Sequence, residues 1–97
     1  MSEEKVIAFL RCPASAVVDL ALEMANLTWK EKLAIDLCGR QDMTQDKAAE
    51  VSEKSTDAIQ RWYRSGMKKL LTAWSGQWWI ESLAEEALRR LKVKKEG

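Results

Sequence analysis

The chain contains no histidine, and this absence removes several kinds of chemistry. The side chain that most often serves as a general base near neutral pH is missing, and serine or cysteine nucleophiles lose their usual activator. Cysteine is scarce as well: Cys12 and Cys38 stand alone with 25 residues between them. A zinc site built from Cys and His at short spacings is therefore not expected, and neither is any other metal or cofactor. The two thiols are expected to behave as small buried hydrophobes rather than as a disulfide, in keeping with a cytoplasmic protein. With four glycines and one proline, the chain lacks the punctuation of a turn-rich β architecture. It has no glycine-rich phosphate loop and no recognisable pair of catalytic carboxylates, so an enzyme is not expected. No apolar run approaches the roughly 18 residues of a membrane span, and the start Met1-Ser2-Glu3-Glu4 lacks the positive flank of a secretory leader.

What is present favours helices. Of the 97 residues, 46% are hydrophobic and 32% charged, enough for one folded domain and too apolar for disorder. Val6, Ile7, Phe9 and Leu10 predict a short amphipathic turn or two before Pro13. A helix is expected over 14–26, with Val17, Val18, Leu20, Ala21, Leu22, Met24 and Ala25 facing a core. Thr28 with Glu31 three residues on forms the capping-box pattern, which predicts a helix from Trp29 to about Gly39, ended by that glycine in a left-handed conformation. Thr44 and Ser55 are suited to cap two further helices, the first short and carrying Ala48, Ala49 and Val51. The second has Ala58, Ile59, Trp62, Tyr63, Gly66, Met67, Leu70 and Leu71 inward. After a turn at Ser75-Gly76, a last helix is expected over 77–93, with Glu85–Arg89 and Glu86–Arg90 as i,i+4 pairs and a frayed tail from Lys92. The expected fold is a single all-α domain, 1–97, of four or five helices containing a helix-turn-helix at 28–71.

Three successive helices with a three- or four-residue turn between the second and third is the plan that lays a recognition helix in a DNA major groove. Leu27-Thr28 and Glu31, Ile35-Asp36-Leu37, Thr44, Ala48-Ala49-Glu50, Ser55, Ile59-Gln60-Arg61 and Lys68-Lys69-Leu70 together resemble the promoter-binding C-terminal domain of bacterial sigma factors. The resemblance spans about 45 of the 97 residues. Small phage or mobile-element regulators and the DNA-binding part of phage packaging proteins share the same degenerate pattern. The family usually has an apolar residue, a glycine and another apolar residue in the turn, where this chain has Ser52, Glu53 and Lys54; Val51 is the available replacement for the apolar anchor.

The resemblance implies a sequence-specific DNA-binding regulator. Thr56, Asp57, Gln60, Arg61 and Arg64 would face the groove, Gln60 and an arginine being suited to adenine and guanine edges, while Lys54, Lys68 and Lys69 would meet phosphates. Charge is distributed in keeping with a polyanion on one surface: residues 1–53 hold six Lys/Arg against ten Asp/Glu, and residues 54–97 hold ten against five. The same stripe of cations also fits a plain solvated helix face. Trp78 and Trp79 point about 100° apart on a helix, so one of them is a candidate contact for a homodimer or RNA polymerase through the last helix. The competing expectation is a protein-interaction module that keeps the scaffold without DNA binding. It gains weight if Asp42, Asp46, Glu50 and Glu53 surround the recognition helix.

Overall fold

The computed structural model describes residues 1–96, and among them the secondary structure is entirely helical. Six α-helices follow one another: α1 (Glu3–Leu10), α2 (Ser15–Met24), α3 (Trp29–Ala34), α4 (Gln45–Ser52), α5 (Thr56–Trp74) and α6 (Trp78–Glu96). The count exceeds the expected four or five because the first apolar segment is a complete helix. Ser2 caps α1 by accepting from the Lys5 amide at 3.2 Å, and Glu3 and Glu4 sit favourably in its first turn. So short a helix is marginal alone. It persists because Val6, Phe9 and Leu10 are buried and α6 packs along it.

The three caps read from the sequence are formed. Thr28 Oγ1 accepts from the Glu31 amide at 3.3 Å while Glu31 Oε1 accepts from the Thr28 amide at 2.9 Å, a complete capping box. Thr44 and Ser55 accept from the amides of Lys47 and Ala58, each at 3.1 Å.

Gly39 does not end its helix in a left-handed conformation. After Ala34 the helix continues as a wider π-helical segment, Ile35–Arg40, with the Gln41 amide reaching back five residues to the Asp36 carbonyl at 3.0 Å. The positive φ falls instead on Asp42, at 57°. Gly39 is needed for space: a Cβ there would lie 2.9 Å from Leu10 Cδ1. Its carbonyl accepts from Arg11 Nε at 2.9 Å, and Arg11 Nη2 also reaches Asp42 Oδ1 at 2.7 Å, tying α1 to the end of the π segment.

The principal core gathers Val6, Phe9, Leu10, Val18, Leu22, Ile35, Met67, Leu70, Trp74 and Ile80. Trp74 is fully buried; its indole N–H donates to the Ala21 carbonyl at 2.8 Å, and its ring meets Phe9 edge-on at 5.0 Å. A smaller core of Leu37, Ala48, Ala49 and Ile59 joins the π segment, α4 and α5. Val51 does not serve as an apolar anchor, being about half exposed. Glu86 pairs with Arg90 at 2.9 Å, whereas Glu85 leans toward Lys5 of α1 rather than Arg89. Helix α6 runs on to Glu96, past the expected end at Val93, and Gly97 lies outside the described residues.

Candidate functional site

Helices α4 and α5 are joined by a three-residue turn, Glu53–Ser55, in which Glu53 adopts φ 60° and ψ 36° and the Lys54 amide closes back onto the Ala49 carbonyl at 3.0 Å. This left-handed position is the one a glycine would fill without strain. The turn, the Ser55 cap and the burial of Ile59, Met67, Leu70 and Trp74 fix which face of α5 looks outward. On that face Asp57, Arg61, Arg64 and Lys68 are exposed, and Gln60 is half-buried at its edge. Asp57, Gln60, Arg61 and Arg64, spaced by one helical repeat, line a shallow hollow of about 350 Å³. Gln60, Arg64 and Lys68 also border a neighbouring hollow of about 390 Å³ with Gln45, Tyr63 and Glu3.

Among the described residues, Arg61, Arg64 and Lys68 make no ion pair. The chain holds no carboxylate from Ala58 to Ile80, so within α5 the positive charge of this stretch is offset only by Asp57 at its N-terminal end. The first turn of α5 differs. Thr56 Oγ1 donates to Asp46 Oδ1 at 3.2 Å, and Asp57 follows at once, so two carboxylates stand at the N-terminal end of the face. Glu53 and Glu50 are exposed nearby in sequence, while Asp42 is occupied by Arg11. Of the four acids whose position bears on the approach of a polyanion, Asp46 touches α5.

The remaining expected site residues are dispersed. Lys69 does not project freely from the face: its ammonium is 2.7 Å from Glu31 Oε1. Glu31 is 5% exposed and also accepts a hydrogen bond from the Ser65 hydroxyl. Burial opposes the charged carboxylate, but the hydrogen bonds from Lys69, Ser65 and Thr28 prevail and hold its pKa down to about 2. The sequence disclosed only the capping half of this arrangement. Its other half depends on α5 crossing α3 at Gly66, where a Cβ would lie 2.8 Å from Ile35 Cγ1.

Lys54 lies over the Trp29 ring at 5.9 Å, and Lys30 lies 5.7 Å from Trp29 and 5.5 Å from Trp62. Nothing in the sequence pattern marks this cluster: Trp29 starts the helix capped by Thr28 and is 63% exposed. Trp78 and Trp79 separate as their helical angle requires: Trp79 packs on the principal core, whereas Trp78 is 79% exposed. Cys12 and Cys38 are free and half-buried, and burial pushes the Cys38 thiol pKa up. The half-buried Tyr63 phenol is likewise raised, first by burial and then by Glu3 and Cys38, with Arg11 opposing. Among the described residues no three metal-ligating side chains cluster, and no helix is long and apolar enough to cross a membrane. Comparison with protein-family models, with curated proteins and with solved structures returns no match to this chain.

Proposed function

We propose that the protein is a sequence-specific DNA-binding regulator of the sigma-factor-like helix-turn-helix kind, with α5 as the helix that enters the major groove. The observation that carries this reading is the outward face of α5, where Arg61, Arg64 and Lys68 stand exposed, without an ion pair among the described residues and beyond the lone carboxylate Asp57, on the second of two helices joined by a three-residue turn. Gln60 and Arg61 or Arg64 supply the amide and guanidinium groups that read adenine and guanine edges, and Lys68 meets a phosphate. Lys69, engaged with Glu31, has a structural duty instead. A module of this size covers little DNA, so useful discrimination calls for a second contact, through a homodimer or RNA polymerase, for which exposed Trp78 is the starting point.

The second reading, a protein-interaction module on the same scaffold, is favoured by one observation. Asp46 and Asp57 both stand at the first turn of α5, the part of a recognition helix that approaches DNA most closely. Fluorescence anisotropy of labelled duplex DNA, titrated from low to physiological salt, separates the two. Binding that weakens steeply with salt in the wild type and is lost in Arg61→Ala/Arg64→Ala supports the first. Absence of duplex binding even at low salt favours the second.

A further inference from the structure

The cluster formed by Trp29, Trp62, Lys30 and Lys54 is not used by the groove-facing side of α5. Trp29 occupies the first position of α3, directly after the Thr28 cap, and is 63% exposed. Its ring centre lies 6.1 Å from that of the half-buried Trp62, with the planes tilted by 59°. Two ammonium groups from different elements converge on this pair, Lys30 from α3 and Lys54 from the α4–α5 turn, each within 6 Å of the Trp29 ring centre. Among the described residues neither lysine pairs with a carboxylate. Trp29 also lines a shallow groove of about 470 Å³ with Leu22, Lys32 and Leu33.

We infer that this cluster binds an unpaired nucleotide of a nucleic-acid strand. The exposed indole offers a stacking platform for a flat ring once the flexible lysine side chains lying over it swing aside, and their ammonium groups then offer charge to an anion. A nucleotide joins both features in one ligand. A bare phosphate would leave the indole unused, and an apolar peptide would leave the lysines unused. A base inside a duplex has both faces covered by its neighbours, so the ligand is a single strand or an opened base. The site stands independently of the groove contact by α5, although Trp62 follows Arg61 in that helix.

The test compares an eight-nucleotide oligothymidylate with an abasic oligonucleotide of the same length, which carries equal backbone charge, by fluorescence anisotropy at low salt. The expected result is that oligothymidylate binds at least about tenfold more tightly than the abasic strand, with quenching of tryptophan emission. Trp29→Ala abolishes that preference while its circular dichroism matches the wild type, since an exposed side chain contributes little to the core. Arg61→Ala/Arg64→Ala keeps the preference whether or not duplex binding survives, which separates this inference from the reading of α5. Equal binding of the two strands, or an undiminished preference in Trp29→Ala, overturns it.

Discussion

Replacing Glu31 tests how α5 is held in position. Glu31→Ala removes the acceptor for three donors, the Thr28 amide, the Ser65 hydroxyl and the Lys69 ammonium. The lost capping interaction is worth about 1 kcal/mol. The charge-assisted bond to Lys69 adds about 1–2 kcal/mol, less than for a fully buried pair because the Lys69 side chain is 42% exposed and regains water when its partner goes. Together these give a loss of about 2–3 kcal/mol. The carboxylate pKa, held at about 2 rather than 4.5, points the same way, since the folded state favours the ionised group. Urea denaturation followed by circular dichroism measures the loss directly, and the melting temperature is expected to fall by roughly 10–20 °C for a domain of this size. Glu31→Gln keeps one oxygen to accept from the Thr28 amide, replaces the acceptor of the Ser65 hydroxyl with an NH2 that can only donate to it, and removes the charge; it is expected to lose about half as much. Because the folded-state pKa is depressed, the carboxylate's contribution is fully present above about pH 4.5 and is lost as pH falls toward 2. The difference between wild type and Glu31→Gln is therefore expected to shrink across that window. A loss below about 0.5 kcal/mol for Glu31→Ala, or a difference that does not change between pH 6 and pH 2.5, would mean that the Glu31 carboxylate does not hold α5 in place.

Two further substitutions probe the geometry around the candidate face. Gly66→Ala is expected to destabilise by about 1–2 kcal/mol despite alanine's better helix propensity, because the new Cβ meets fully buried Ile35 at 2.8 Å; a stabilised variant in urea melts would show that α3 and α5 can separate cheaply. Glu53→Gly is expected to stabilise by about 0.5–1 kcal/mol, since glycine takes φ 60° without a Cβ penalty; a loss in the same assay would mean that the Glu53 side chain contributes a contact.

The sequence disclosed most of what depends on neighbours three or four residues away. Thr28, Thr44 and Ser55 each cap the helix expected of them, because a hydroxyl and an amide three positions on settle the interaction locally. The outward set Asp57, Arg61, Arg64 and Lys68 followed from helical period, as did the divergence of Trp78 from Trp79. What escaped depends on distant packing. Helix α1 is held by α6, some seventy residues later in the chain. The π segment brings Gly39 against Leu10 and gives its carbonyl to Arg11, so the glycine that read as a helix stop is a packing glycine. Lys69 read as a free cation because its periodicity carries no information about Glu31, 38 residues earlier. The exposure of Trp29 is not legible in the helical pattern, because only the arrangement of α3, the turn and α5 brings Lys30 and Lys54 over its ring at the surface.

Whether α5 reads DNA sequence is tested most directly by selecting bound sequences from a pool of random duplexes at low and then physiological salt, in parallel with the wild type and with Gln60→Ala and Arg61→Ala/Arg64→Ala. The wild type is expected to enrich a short motif, Gln60→Ala to relax discrimination at one position of it, and the arginine variant to enrich nothing. A wild-type protein that retains no duplex, or retains all sequences alike, would show that α5 does not read DNA sequence.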